Sequence, residues 1–521
     1  MTRLNARTEM GNFLYTASSQ ALNMFSWSSD SLREDMNKKT VFVAVIMLLA
    51  ITMSASPFGV QPAEAAPKTW YVDDDGGVDF TSIESAISAG NSGDTIFVYN
   101  GTYYEHLVIT KQLTLIGESK YGAIIDGSKY GPVIRIRYTT ATLRNFTVHN
   151  GGWGSSWLAN CAFYLDGATS CDVSDNVIAD CRCGVFLDPS STGNTVSYNI
   201  VSDTEFGIGS DRSYHANSRI IGNSISNCST GIYFNSPVNL QIVGNTISNM
   251  TGEVRYGIHF QTGGYNNTVI GNTVMGYCSY AVAIRYADEN QVVGNVLMDS
   301  FYGIELGEAS RLNNVSGNIA IGNGVGIRIA EGSNDNLVSL NTFSDSMVVG
   351  FYISDIGIWV DSSDRNVIHD NEIINNGCGL LLSSSDNTTV YHNSFVDNVA
   401  QALVSDSLGN SWDDGYPSGG NYWSDYNGVD ANDDIIGDTP YVIDMDNVDN
   451  YPFICSRRTH PCDINGDGRV DIADVAVVCC AFGSWPTHER WNPTCDVNGD
   501  SRIGIMDVAL ACHKFGWHRP L

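Results

Sequence analysis

The sequence predicts a parallel β-solenoid followed by a small helical calcium-binding module, and three observations predict it. An Asn recurs at Asn176, Asn199, Asn223, Asn245, Asn272, Asn295, Asn318, Asn341, Asn371 and Asn393, in steps of 22 to 24 residues broken by one of 27 and one of 30. Apolar residues alternate at period two on both sides of each Asn, as in Ile221-Gly222-Asn223-Ser224-Ile225 and Ile270-Gly271-Asn272-Thr273-Val274, and a Gly or Ala usually follows eight or nine residues later. Near the end of the chain an acidic loop appears twice, at an offset of 33 residues.

A repeat this short, with period-two alternation, has no room for a helix and a return strand, so each unit reads as one rung of stacked strands. Asn suits a rung corner because it tolerates a left-handed turn, and its amide can bond to the Asn of the next rung. The two long steps place insertions near Met250 to Tyr256 and near Gly350 to Trp359.

Composition narrows the function. The 521 residues carry 27 Lys and Arg against 57 Asp and Glu, a net charge of −30. Such a surface repels phosphate backbones, and no basic run with interleaved aromatics makes an exception, so nucleic acid is not an expected partner. At 43% hydrophobic residues the chain can bury a large core.

The N-terminal segment reads as an address. Met36-Asn37-Lys38-Lys39, the apolar run Thr40 to Met53 and Ala63-Glu64-Ala65-Ala66 follow the order of a secretory signal. Residues 1–35 are then an upstream extension, 36–66 a signal peptide, and the mature chain is secreted or held at the cell surface. The apolar run is shorter than the roughly 20 residues that span a bilayer, so no membrane span is expected after cleavage. Beyond it, 67–409 is assigned to the solenoid, 410–454 to its C-terminal cap, 455–461 to a linker and 462–521 to the calcium module. Seven cysteines lie irregularly between Cys161 and Cys378, and six crowd between Cys455 and Cys512, where export would permit disulfides.

In the module, Asp463, Asn465, Asp467, Asp471 and Asp474 place side-chain oxygens at the ligand positions of a calcium loop, with the Arg469 carbonyl between them and Gly468 at the turn. Hard oxygen donors at this spacing select Ca²⁺. The second copy offers Asp496, Asn498, Asp500, the Arg502 carbonyl and Asp507, with Ser501 in place of the turn Gly and Gly504 in place of one ligand. Helices are expected over Val475 to Phe482 and Val508 to Phe515. Cys462 matches Cys495 and Cys479 matches Cys512 at the same offset, which points to disulfides between the halves.

Alternation after each repeat Gly puts Tyr233, His259, Ala283, Glu305, Arg328 and Trp359 on one expected exposed stripe, beside Asp188, Asp211, Asn235, Gln261, Arg285, Gly307, Ala330 and Asp361. Rings, carboxylates and guanidiniums on one face suit a long sugar chain, so Tyr233, His259, Glu305, Arg328 and Trp359 are candidate carbohydrate-binding residues. Glycoside hydrolysis needs two carboxylates, and Asp188 and Asp211 stand one rung apart. Lyase chemistry needs a positioned base, for which Arg285 or Arg328 near His259 is the best offer. The candidate catalytic residues are therefore Asp188, Asp211, Glu305 and Arg285.

The opening, with Trp70-Tyr71-Val72-Asp73, Gly93-Asp94-Thr95-Ile96-Phe97-Val98 and Leu113-Thr114-Leu115-Ile116-Gly117, resembles right-handed parallel β-helix proteins of the pectin-lyase-like superfamily, in which a short helix caps the first coil. Gly420-Asn421-Tyr422-Trp423-Ser424-Asp425-Tyr426 and Gly437-Asp438-Thr439-Pro440-Tyr441 resemble the closing pattern of NosD-like members. The resemblance implies a right-handed β-helix grouped with carbohydrate-binding and sugar-hydrolase solenoids, and it supplies no catalytic residues. It also brings copper-enzyme maturation as an alternative, which the unclustered His and Met residues do not support. The duplicated loop resembles type I dockerin, implying attachment to a cohesin-type receptor, with Ile472-Ala473 and Ile505-Met506 where dockerins make their contacts. The expected protein binds an extracellular polysaccharide and, as an enzyme, would be a lyase or glycoside hydrolase. The other alternative is a non-catalytic adhesin or surface-layer component.

Overall fold

The computed structural model describes residues 66–521 except 155–159, 212–214, 349–354, 433, 455–463, 465–468, 486–487, 489, 493–494, 496, 498–501, 514 and 516–521. The upstream extension, the signal peptide up to Ala65 and the linker lie outside the described residues.

Consecutive rungs pair in parallel and in register. One face is a sheet of 14 strands running from Thr69–Val72 to Thr389–Tyr391. The other two faces join into a 25-stranded sheet, because Val177–Leu187 and Ile200–Ser210 run unbroken through the corner between them. The result is an all-β solenoid of the right-handed parallel type. Inward positions stack like on like: Ile232, Ile258, Val282, Ile304, Ile327, Ile358 and Leu380 form one column and are buried. Each such side chain stabilises the fold by about 1.5–3 kcal/mol through the area it removes from water.

The Asn column is a continuous hydrogen-bonded ladder. Asn318 Oδ1 accepts from the backbone N–H and the Nδ2 of Asn295, both at 2.9 Å, while Asn318 Nδ2 donates to Val292 O at 2.8 Å and Asn341 Oδ1 at 2.9 Å. The same pattern runs from Asn176 to Asn421, where the Asn421 N–H donates to the buried Asp449 carboxylate at 2.7 Å. A second ladder, Asn267, Asn290, Asn313, Asn336 and Asn366, lines another corner. The left-handed turn expected at each Asn falls one residue earlier, at Gly222, Gly244, Gly271, Gly294 and Gly317, and at Tyr198, Leu340 and His392 despite their side chains. The Asn is thereby free to turn its amide inward.

The repeat Gly marks a close approach of backbones. A Cβ on Gly326 would stand 2.5 Å from Gly357 O, which Gly replaces by nothing. In the rung after the second insertion Gly357 holds this place, sixteen residues after Asn341 rather than eight or nine.

Both ends of the solenoid are closed. Helix α1 (Ile83–Ala89) packs on the first strands through Ile83, Ala86 and Ile87, with its N-terminal amides held by Ser82 and the Glu105 carboxylate. Beside it Asp94 accepts from Trp70 Nε1 at 2.9 Å. At the other end Phe395, Trp423 and Tyr441 stack at 4.4 Å each, and Trp423 Nε1 donates to Asp449 at 2.9 Å. Burial pushes the Asp449 carboxyl up to about 7.

In the C-terminal module, α2 (Ile472–Ala481) and α3 (Ile505–His513) share a core of Val470, Val478, Ala481, Cys495, Ile503 and Ala511. Both begin three residues before the expected starts, and at α2 Asp471 and Asp474 form a capping box that nucleates the helix earlier. Cys479 and Cys512 are free thiols, contrary to the pairing expected between them; Cys462, the expected partner of Cys495, lies outside the described residues.

Candidate functional site

Tyr233, His259, Ala283, Glu305, Arg328 and Trp359 are consecutive register partners, the row the alternation predicts. The row is not the exposed stripe expected: His259, Ala283 and Glu305 are only 3%, 0% and 3% exposed. A neighbouring row folds over it. Tyr256, Tyr280 and Tyr302 occupy the outward position just before each repeat Gly or Ala, and their rings stack at 5.0 and 5.1 Å. Tyr256 also stacks on His259 at 4.0 Å.

Two arginines complete the cover. Arg285 lies 4.9 Å above the Tyr280 ring and clasps Glu305 Oε2 through Nε and Nη2, at 2.8 and 2.6 Å. Arg328 lies 4.8 Å from the Trp359 ring, donates to Asp361 Oδ2 at 2.7 Å, and reaches Glu305 Oε1 at 3.4 Å. Burial pushes the Glu305 carboxyl up, and the two guanidiniums pull it back. Burial, with the Arg285 charge adding to it, pushes the His259 imidazole down to about 3, so the ring is neutral. His259 Nε2, Arg328 Nε and Trp359 Nε1 are buried without a hydrogen-bond partner, an unusual density of unsatisfied groups for one surface.

The loops entering this face are its walls. The expected insertions follow Thr246–Ser248 and Thr342–Ser344, and their described residues Glu253 to Arg255 and Met347 border the face; 349–354 lie outside the described residues. A cleft of about 560 Å³ lies between the two, lined by Arg255, Tyr277, Tyr280, Phe301, Tyr302 and Met347 among others. Arg255 Nε is likewise buried and unpaired. Burial pushes the Tyr302 phenol up to about 12, which keeps its O–H a donor.

Of the catalytic candidates, Arg285 and Glu305 meet as an ion pair. Asp188 accepts from Tyr164 Oη at 3.3 Å and from Ser190 Oγ at 2.9 Å, while Asp211 is exposed just beyond Ser210. The tyrosine row escaped the sequence reading because counting began after the repeat Gly; the signal was the aromatic before it, in Tyr256-Gly257, Tyr280-Ala281 and Tyr302-Gly303.

Of the residues expected to form calcium loops, Asp463, Asn465, Asp467, Asp496, Asn498 and Asp500 lie outside the described residues. Asp474 and Asp507 are fully buried at matching places of the two halves, each accepting the N–H three residues before it, from Asp471 at 2.8 Å and from Gly504 at 2.7 Å. Asp471 caps α2 through Ala473 N at 2.7 Å, and Arg469 and Arg502 precede the buried Val470 and Ile503.

Residues 87–276 and 266–428, together more than half of the chain, match the family described as periplasmic copper-binding protein (NosD). The chain belongs to the NosD family. No curated protein is a significant match to it. Bacteriophage phi29 gene product 12 is 13% identical to this NosD-family chain, with a TM-score of 0.50 over 63% of the chain and 54% of the phage protein. A DFA-IIIase from Arthrobacter chlorophenolicus A6 is 17% identical over 53% of the chain and 83% of its own, with a TM-score of 0.42. The catalytic domain of a GH87 alpha-1,3-glucanase is 12% identical over 70% and 71%, with a TM-score of 0.43. At these identities the likeness is one of fold.

The family description names copper; among the described residues no group of three or more His, Cys, Asp or Glu that could hold a metal ion occurs. The seven solenoid cysteines are buried, and burial pushes their thiols up, away from the thiolate that copper(I) prefers.

Proposed function

We propose that the protein binds an extracellular polysaccharide along the face carrying Tyr256, Tyr280, Tyr302, Arg328 and Trp359, with the cleft beside it seating one part of the chain. The observation that carries this reading is the pairing of ring, guanidinium and carboxylate at two places on this face, around Arg285 and around Arg328. Such pairs present donors and acceptors together to vicinal hydroxyls, and the rings add apolar surface for C–H groups. Binding is favoured over cleavage because Glu305 and Asp361 are already engaged by arginines.

Affinity electrophoresis against neutral glucans, fructans and mannans and one polyuronate tests it. At least one polymer is expected to retard the protein, and Trp359→Ala with Arg328→Gln is expected to weaken that binding at least tenfold, about 1.4 kcal/mol. Unretarded migration in every polymer would sink the reading.

The proposal includes export and anchoring. The n-region, apolar run and small-residue site of 36–66 support secretion, and the duplicated acidic loops support calcium-dependent attachment to a cohesin-type receptor. Asp463, Asn465, Asp467, the Arg469 carbonyl, Asp471 and Asp474, and their counterparts in the second loop, would hold Ca²⁺, which would compensate the charge of the carboxylates among them. Chelator is expected to lower the helical circular dichroism of the module and calcium to restore it; indifference to both would count against the anchoring half.

A further inference from the structure

Arg328, Trp359 and Asp361 are not alone on this face. Arg135 is the register partner of Tyr164, as Arg328 is of Trp359. In both places a carboxylate follows the ring by two residues and clasps the arginine: Asp166 Oδ2 receives Arg135 Nε at 2.9 Å and Nη2 at 2.5 Å, and Asp361 Oδ2 receives Arg328 Nη2 at 2.7 Å. The guanidinium carbon stands 5.1 Å from the Tyr164 ring and 4.8 Å from the Trp359 ring. An unbroken line of register partners joins the two sets: Arg135, Tyr164, Phe186, Gly209, Tyr233, His259, Ala283, Glu305 and Arg328. That is eight strand spacings, about 38 Å along the solenoid axis.

We propose that Arg135, Tyr164 and Asp166 form a second carbohydrate subsite equivalent to Arg328, Trp359 and Asp361, so that the face grips one extended neutral polysaccharide at two points. The inference rests on the polysaccharide reading above. Arg135 keeps 37% of its side chain in solvent, so its outer N–H groups are open to a ligand, while Tyr164 and Asp166, each 7% exposed, lie beneath it and fix the fork. Each triad holds one cation and one anion, which suits a diol that donates and accepts at once. The net charge of −30 disfavours a polyanion spread over the whole length of the face. Two like subsites on one straight line serve a polymer: the second contact of a bridging chain is intramolecular, and affinity multiplies without new chemistry.

Titration calorimetry of the full chain tests this with two lengths of whichever neutral glycan series binds, a tetrasaccharide and a polymer longer than the separation of the triads. Two tetrasaccharides per chain are expected, against one polymer bound at least about a hundredfold more tightly. Arg135→Gln should leave one tetrasaccharide per chain and abolish the length advantage. Arg135→Lys, which keeps the charge and removes the planar fork, should do the same if geometry is what matters. One tetrasaccharide per wild-type chain, with Arg135→Gln and Arg135→Lys both indistinguishable from wild type, overturns the second subsite and leaves the first standing. Absence of any glycan binding removes both.

Discussion

Glu305→Ala is expected to lower the unfolding free energy by about 3 kcal/mol, most of it from the guanidinium left behind. Glu305 is the centre of the charge network: Oε2 holds Arg285 and Oε1 faces Arg328. Arg328 keeps Asp361 when Glu305 is removed, but the next carboxylate to Arg285 is Glu308, at 3.9 Å. Arg285 is about one-sixth exposed, so solvent recovers part of the loss and the figure belongs at the low end of the range for a broken buried pair. Glu305→Gln keeps an oxygen toward Arg285 and should cost less. Denaturant unfolding followed by circular dichroism reads the effect. In a double-mutant cycle with Arg285→Ala, a coupling near zero would show that the clasp contributes nothing to stability.

Asn318→Ala should cost still more, about 3 to 5 kcal/mol. It strips the acceptor from Asn295 N and Asn295 Nδ2 and the donor from Val292 O, all in a dry interior. Each unsatisfied buried group costs about 1–3 kcal/mol. Asn318→Ser should be milder, since Ser218 Oγ takes an equivalent place in the second ladder, accepting from Asn194 N at 3.3 Å. Hydrogen exchange adds a spatial check. Protection should fall at Asn295 and Asn318 and their neighbouring rungs and stay intact at Asn199, because solenoid units interact only with their neighbours. Uniform loss along the chain, or a change below about 1 kcal/mol, would contradict a ladder that works rung by rung.

The rungs and the order of residues on the sugar-binding candidate row were legible because period-two alternation is a local signal that Tyr233, His259, Glu305, Arg328 and Trp359 all carry. Their exposure was not. Alternation tells which side of the sheet a residue faces, whereas burial depends on what the adjacent row lays across it, and Tyr256 covering His259 is a contact between positions three residues apart. The second Asn ladder escaped because Ser218 and Leu240 interrupt its spelling. The cleft escaped because its walls, Glu253 to Arg255 and Met347, come from insertions that are far apart in sequence and only a few rungs apart in space. In the C-terminal module the start of α2 was misplaced because Asp471 and Asp474 were expected only as metal ligands, whereas they cap that helix.

The closed ends carry a consequence of their own. Parallel in-register strands at this spacing are the geometry of a fibril, and every rung is a template for one more. What limits growth is the pair of end structures: α1 over the first strands, and the Trp423–Tyr441 stack with Asp449 as the last acceptor of the Asn ladder. A chain cut after Ser405 would present the Asn393 amide and the edges of its last strands without that lid. Such a stub is expected to add to other copies end on, so the C-terminal segment acts as a terminator that keeps a stackable fold at a fixed number of turns.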